Sequence, residues 1–142
     1  MVDLRERLHG AILGAAMRRH VSSGAATERA YGYCRAVVVD GVVHVSGTAP
    51  VMPEGAEPPS DAYGQARRCL EIILAALAEA GAGAADVVRT RVYLTRVEDF
   101  DEVYRAHAEI FGDVRPTNTG VVVAALYDPR WLVEIEAEAV IS

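Results

Sequence analysis

Residues 131–141 alternate apolar and acidic side chains, and this alternation constrains the fold more than any other feature of the sequence. Apolar residues take one side of the alternation, whereas Glu134, Glu136 and Glu138 take the other. A two-residue period is that of a β-strand with one buried and one exposed face, because successive side chains of a strand point to opposite sides. We therefore predict a C-terminal strand whose three carboxylates share one face of a sheet.

A second apolar run lies at residues 121–126 and predicts a short strand that is buried on both faces. Residues 127–130, between the two runs, have turn chemistry, since Pro129 has no N–H to donate to a neighbouring strand. The C-terminal quarter is therefore predicted to form a hairpin or a closely placed pair of strands. Any functional site is expected to include Asn118 and Glu134 from this quarter.

The length of 142 residues predicts a single domain with one core, and 51% hydrophobic and 24% charged residues are typical of a soluble globular protein. The net charge of -6 argues against nucleic acid as a partner, because phosphate binding needs a concentrated basic face. No run approaches the roughly 20 apolar residues that span a bilayer, so a membrane partner is not expected either.

All 14 basic residues are arginines. The absence of lysine excludes Schiff-base catalysis, a pyridoxal anchor and a P-loop lysine. Cys34 and Cys69 have the spacing of neither a zinc site nor a disulfide framework. They are interpreted as small buried residues of a cytoplasmic protein, and neither a metal nor a cofactor is expected.

The first third of the chain predicts a helix followed by strands. Residues 1–19 are predicted to form a helical extension, because apolar residues recur there at helical spacing, and residues 20–142 to form the main domain. Strands are predicted at residues 21–24 and 31–39. Asp40-Gly41, between two valine-rich runs, predicts a type I′ hairpin turn, which requires positive φ at both positions.

The middle of the chain predicts two helices with a strand between them. Four prolines mark residues 50–59 as a loop. Ser60 or Asp61 is expected to cap a helix that ends near Gly81, followed by a strand over residues 86–95 and a helix over residues 98–111. The order predicts an α+β mixed sheet with two helices on one face. The uncovered face predicts a homo-oligomer.

Three blocks of the sequence, at residues 32–50, 65–95 and 133–140, resemble the Rid family, also called YjgF/YER057c/UK114. The resemblance begins near Val21 and continues to the C-terminus. It implies a chorismate-mutase-like (YjgF-type) fold, a homotrimer around a central barrel, and a small-molecule cleft at each subunit interface. The founding activity of that family is hydrolysis of reactive enamines and imines to 2-keto acids and ammonia.

The resemblance also implies roles for individual residues. Tyr33, Ser46 and Gly47 match cleft positions, and Glu134 matches the glutamate that positions the hydrolytic water. The chain departs from deaminating members at Asn118, which stands where an arginine grips the substrate carboxylate. The chain therefore resembles the arginine-lacking branches of the family.

Further residues near the implied cleft are candidates as well, and some of them have an alternative interpretation. Tyr104 replaces a family asparagine and is counted among the ligand-binding candidates. Arg35 and Arg115 are conceivable substitutes for the missing arginine, or else solvated surface residues. Glu134 itself could belong to a solvated sheet face.

The replacement of arginine by Asn118 changes what the cleft can bind. Arginine offers a planar fork that binds a carboxylate bidentately, whereas asparagine offers one neutral NH2 group and one acceptor oxygen. Three functions stay open: a hydrolase that uses Glu134 and a neutral anchor, a non-catalytic trimer that binds a metabolite, and a nuclease. The acidic net charge makes the nuclease the least favoured.

Overall fold

The computed structural model describes residues 18–142, so the predicted helical extension lies outside the described residues apart from its end. Arg19 at that end already belongs to a strand rather than to a helix. In chain order the strands and helices are β1 (Arg19–Val21), α1 (Ala26–Tyr31), β2 (Ala36–Val39), β3 (Val42–Thr48), α2 (Ala62–Glu79), β4 (Val87–Leu94), α3 (Phe100–Phe111), β5 (Thr117–Val122) and β6 (Val133–Val140).

The six strands form one mixed sheet in the order β1-β2-β3-β6-β4-β5. All neighbouring strands are antiparallel except β4 and β5, which run parallel. The two long helices, α2 and α3, pack on each other and on one face of the sheet. The predicted α+β mixed sheet with two helices on one face is therefore confirmed.

The alternation at the C-terminus is confirmed as the central strand β6. Val133, Ile135, Ala137 and Ala139 are at most 2% exposed and face the helices. The three intervening glutamates are half-buried on the opposite face, which we call the open face of the sheet. Burial of the apolar side against α2 gives the strand its orientation, because a shift by one residue would turn the carboxylates into the core.

The β2–β3 hairpin forms as predicted. Asp40 has φ 49° and Gly41 has φ 80°, so both central residues lie in the left-handed region that a type I′ turn requires. Val39 pairs with Val42 directly across the turn. This turn fixes the register of β3, the strand that carries Ser46 and Gly47.

Helix α2 begins and ends at the predicted signals. The Asp61 carboxylate accepts a hydrogen bond from the N–H of Gly64 at 2.7 Å, and Gly81 follows the helix with φ 87°. Its buried face comprises Ala62, Gln65, Ala66, Cys69, Leu70, Ile73, Ala76 and Leu77. No helix of residues 18–142 is long and apolar enough to cross a membrane.

Asp61→Ala is expected to lower the free energy of unfolding by about 0.5–2 kcal/mol, because the first turn of α2 loses its side-chain cap. Chemical denaturation measures the change. Ser60→Ala is the matched control, since Ser60 is an exposed neighbour and Asp61 is the N-cap residue. Equal effects of the two substitutions would contradict the assignment of the cap.

The predicted C-terminal hairpin is wrong. Strands β5 and β6 are not neighbours, because β4 lies between them in the sheet. The segment β4-α3-β5 is a crossover unit, which places β5 parallel to β4. The strand also begins earlier than predicted, at Thr117, and forms an exposed edge rather than a strand buried on both faces.

The strand predicted over residues 31–39 is wrong in its first half. Tyr31 is the last residue of helix α1, and the C-cap Gly32 has a left-handed φ of 78°. Glu28 in α1 is buried and accepts hydrogen bonds from the backbone N–H and the hydroxyl of Ser23. This local bonding outcompetes the extended conformation, and the strand begins only at Ala36. The strand predicted at residues 21–24 lies slightly earlier, as β1.

Candidate ligand-binding site

Glu134 lies on the open face of the sheet, against the backbone of β3. The pairing of β3 with β6 is irregular between Val45 and Thr48, and Gly47 falls in this irregularity. A Cβ built at residue 47 would lie 2.9 Å from Oε2 of Glu134. Glycine at this position therefore permits the close approach of the carboxylate to the strand.

Arg35, just before β2, binds the same part of β3 from the side opposite to β6. Its Nη2 donates to the carbonyl oxygens of Ser46 at 2.8 Å and Gly47 at 2.9 Å, and to Oγ1 of Thr48 at 2.9 Å. Its Nε is the only buried side-chain N or O atom of the described range without a hydrogen-bond partner. A buried N–H without an acceptor is costly, so the Nε of Arg35 is an unsatisfied donor next to β3. Arg35 is thus a half-buried cation and not a solvated surface residue.

The environment of Glu134 raises the pKa of its carboxyl group. Burial has the largest effect, because it disfavours the charged form. The positive charge of Arg35 opposes the shift, whereas the neighbouring Glu136 carboxylate adds to it. A carboxylate with a raised pKa is a better proton acceptor than a solvated one, which suits general-base chemistry.

Arg35→Gln is expected to raise the pKa of Glu134 further, because the nearby positive charge that favours the carboxylate is removed. Glutamine keeps an N–H donor for the β3 carbonyls. Carbon-detected NMR of the glutamate carboxyl groups measures the titration. Arg115→Gln is the matched control, because Arg115 is exposed in the turn before β5. A Glu134 pKa that falls or stays the same in Arg35→Gln would contradict the account of the site.

The other predicted cleft residues of this region lie beside Arg35. Ser46 donates its hydroxyl hydrogen to the carbonyl oxygen of Cys34 at 2.7 Å, so the hydroxyl is held by the backbone. The Tyr33 hydroxyl lies 2.9 Å from Oγ1 of Thr27, and the residue is 45% exposed. An exposed ring with a tethered hydroxyl can stack on a planar ligand. Cys34 is half-buried rather than buried as predicted.

Asn118 and Tyr104 contact each other at the edge of the sheet. The Tyr104 hydroxyl donates to Oδ1 of Asn118 at 2.7 Å. Nδ2 of Asn118 donates to Oγ1 of Thr90 at 3.0 Å, and Oγ1 of Thr90 lies 2.8 Å from Nε2 of His107. These four side chains form one continuous hydrogen-bonded chain between β5, β4 and α3, which we call the edge network.

The Glu134 group and the edge network lie on opposite faces of the sheet within one copy of the chain. Thr90 is paired with Ala137 and with Asn118, so these residues share the helix-covered face. Tyr93 is paired with Glu134, which places Glu134 on the open face. A single copy therefore does not bring Asn118 and Glu134 together. Ser46, Gly47 and Glu134 are brought together, as are Tyr104 and Asn118.

Two members of the edge network, Thr90 and His107, were not among the predicted site residues. Thr90 fits the apolar side of the β4 alternation, and His107 fits the apolar side of α3, so periodicity assigns both to the core. They are indeed buried. A threonine and a histidine on the core-facing sides of a strand and a helix could have indicated a buried hydrogen bond. This signal is recognised only when the packing of α3 on β4 is known. No group of three or more potential metal-ligating side chains occurs between residues 18 and 142.

A family model described as Endoribonuclease L-PSP matches residues 24–141. The chain belongs to this family. The resemblance to the YjgF/YER057c/UK114 (Rid) proteins is thereby confirmed, since solved structures described by that name share the fold. A member of the YjgF/YER057c/UK114 family from Mycobacterium tuberculosis has a TM-score of 0.80 and 44% sequence identity, covering 87% of this chain and 99% of its own.

Further proteins are also similar to this Rid-family chain. The Escherichia coli protein named "Putative reactive intermediate deaminase TdcF" is 37% identical over 123 residues, which is 82% of this chain and 95% of the relative. A structure of E. coli TdcF with bound serine has a TM-score of 0.72 and 34% identity, over 78% of this chain and 88% of that one. An uncharacterized protein of Streptomyces coelicolor is 40% identical over 121 residues, 85% of this chain and 90% of the relative.

Proposed function

We propose that this Rid-family chain hydrolyses a C–N bond of an enamine, imine or related small molecule, with the water held by Glu134. The observation that carries the proposal is a half-buried carboxylate, of raised pKa, pressed against a glycine of β3. The name of the E. coli relative, "Putative reactive intermediate deaminase TdcF", favours the same reaction class. We also assign the chain to an arginine-lacking branch, because the resemblance puts Asn118 where deaminating members have an arginine.

The proposed reaction needs one group that first accepts and then returns a proton. Ionised Glu134 accepts a proton from the water as the water oxygen bonds to the imine carbon. The protonated carboxyl group returns that proton to the nitrogen, which gives a neutral carbinolamine. Glu134 then takes the hydroxyl proton as the C=O bond forms and passes it to the nitrogen as the C–N bond breaks and ammonia departs. One water is consumed, one keto compound and one ammonia are released, and Glu134 ends ionised as it began.

A homotrimer with a central barrel would complete the proposed cleft. One copy places Glu134 and the edge network on opposite faces of its sheet, so a second copy is needed to bring both kinds of group to one ligand. Strand β5 is an exposed edge. Val121 and Val122 of β5 and Val88 of the neighbouring β4 are 41–48% exposed. Exposed apolar side chains at a sheet edge are suited to burial against a neighbouring copy.

A second candidate function is that of a non-catalytic trimer that binds a metabolite in the same cleft. The observation that favours it is the edge network, because Asn118 already shares its amide with Tyr104 and Thr90 and offers no cationic fork. Nuclease activity, which the description of the family model suggests, is disfavoured by the net charge of -6.

A coupled assay distinguishes these functions. A dehydratase generates 2-aminoacrylate or 2-iminobutanoate in situ, and release of the keto acid is followed with and without the protein. Acceleration by the wild type supports the hydrolase. Binding without acceleration supports the metabolite-binding trimer, and cleavage of RNA without added metal would support the nuclease instead.

A further inference from the structure

The edge network has a direction, which is set by the amide of Asn118. Nδ2 of Asn118 lies 3.0 Å from Oγ1 of Thr90 and 3.4 Å from the carbonyl oxygen of the same residue. The reversed amide would point an oxygen at that carbonyl, and two acceptors would then face each other. The NH2 group is therefore turned towards Thr90, and Oδ1 is turned towards Tyr104.

The rest of the network follows from this orientation. Oγ1 of Thr90 accepts from the amide, so its own hydrogen is available to Nε2 of His107 at 2.8 Å. His107 is 9% exposed, and burial lowers its pKa, so its ring is neutral and can accept at Nε2. At the other end, burial raises the pKa of Tyr104, which keeps the hydrogen that it donates to Asn118.

Only acceptors remain for a ligand once these bonds are made. The NH2 group of Asn118 is directed at Thr90, and the hydroxyl hydrogen of Tyr104 is directed at Asn118. The unused sites at this exposed edge are lone pairs on Oδ1 of Asn118 and on the hydroxyl oxygen of Tyr104. Two acceptor oxygens stabilise an N–H or O–H donor and repel a carboxylate.

We propose that the edge network is an acceptor-only anchor, which selects ligands with a donor group such as a carboxamide or hydroxyl and disfavours carboxylates. Thr90 and His107 are positioning residues, because they hold the orientation of Asn118 without facing the ligand. The proposal rests on the proposed function, in so far as the edge network is taken to line the ligand cleft. It adds the chemical class of the ligand, which the missing arginine alone does not specify.

Gly120 is the steric requirement for this arrangement. A Cβ at residue 120 would clash with the Tyr104 hydroxyl and approach Cε1 of Phe100 at 3.1 Å. The ring of Tyr104 stacks on Phe100 with ring centroids 5.8 Å apart, so it has little freedom to move aside. Any larger residue at 120 would push the hydroxyl away from Asn118 and break its hydrogen bond to Oδ1.

The test compares pyruvamide with pyruvate, which differ only in a carboxamide against a carboxylate. Binding of each to the full-length protein is measured by NMR titration of the Asn118 side-chain amide. We expect pyruvamide to bind at least about tenfold more tightly, since it gains a hydrogen bond to the acceptor oxygens and avoids the repulsion that a carboxylate meets there. Equal or tighter binding of pyruvate, or no binding of either, would overturn the proposal.

Variants of Thr90 test the positioning role. Thr90→Val removes the hydroxyl and is expected to abolish the preference for pyruvamide, whereas Thr90→Ser keeps the hydroxyl and is expected to retain it. Thr119→Val is the matched control, because Thr119 pairs with Arg91 and faces the open side of the sheet. Nitrogen NMR of His107 provides a second readout: the wild type should carry its proton on Nδ1. A proton on Nε2, or an unchanged preference in Thr90→Val, would refute the positioning role.

The binding preference is independent of turnover. It is measured with probes that are not turned over, so it can be present or absent whether or not the protein hydrolyses a C–N bond. A failed hydrolysis assay with a retained preference would reject the proposed reaction and leave the anchor standing. Hydrolysis without the preference would reject the anchor and leave the proposed reaction standing.

Discussion

Glu134→Gln is expected to slow keto-acid release in the coupled assay by about 10²–10⁴-fold, the usual contribution of a general acid or base. Glutamine has nearly the same shape as glutamate and keeps a hydrogen bond to water, but it cannot accept the proton of that water. The loss should appear mainly in kcat, because the ground-state contacts of the ligand are preserved.

Glu138→Gln is the control for this substitution. Glu138 lies on the same face of β6, two positions beyond Glu136, and pairs with Arg89 and Arg91 rather than contacting Gly47. It undergoes the same change of charge and should retain the wild-type rate. A similar loss in both variants would indicate that the charge of the open face, and not a proton transfer at Glu134, supports the reaction.

The raised pKa of Glu134 gives the same experiment a pH dependence. The ionised form is the base, so kcat/KM should rise with pH through the pKa of Glu134 and level off above it. Because burial raises that pKa, the midpoint should lie above the ordinary glutamate range. The stability linkage has the opposite sign: the neutral form is favoured in the fold, so its stabilising effect is complete at low pH and is lost as the pH rises through the raised pKa.

Local signals accounted for most of the fold that the sequence predicted correctly. The alternation of β6, the positive-φ pair Asp40-Gly41 and the capped helix α2 each depend on neighbours within a few residues. Such signals are contained in short segments of the sequence. They could therefore be read without knowing the order of the strands.

The errors lie where a distant element decides the structure. Nothing in residues 121–126 records that β4 separates β5 from β6, and an apolar run at a sheet edge looks the same as a buried one. Helix α1 was missed because Glu28, a charged residue, is buried through bonds to Ser23. Hydrophobic patterning takes no account of a buried carboxylate.

The residues of the candidate site came from a different source than the fold, and their roles stay predictions. Ser46, Gly47, Glu134 and Asn118 came from the resemblance to the Rid family and not from periodicity. Their contacts could not be predicted, because the close approach of Glu134 to Gly47 depends on an irregular pairing of β3 with β6. The edge network was missed for a related reason, since its two buried members occupy positions that resemble ordinary core.

Asn118→Arg is expected to reverse the ligand preference of the cleft. The substitution removes the acceptor Oδ1 and adds a planar donor fork that suits a carboxylate. A charge-assisted hydrogen bond contributes about 1.5–3 kcal/mol, so the affinity for pyruvate should rise by roughly 10- to 100-fold. Pyruvamide should lose its advantage at the same time, and any hydrolysis of 2-iminobutanoate should accelerate.

Thr117→Arg separates the geometry of the fork from the added charge. Thr117 lies on the same strand one residue away, but it pairs with Arg89 and so faces the open side of the sheet. It adds the same charge without pointing a guanidinium at Tyr104. If both variants increase pyruvate binding equally, long-range attraction explains the gain. If neither does, then position 118 does not contact the ligand and the anchor must lie elsewhere, with Arg35 and its unpaired Nε the next residue to test.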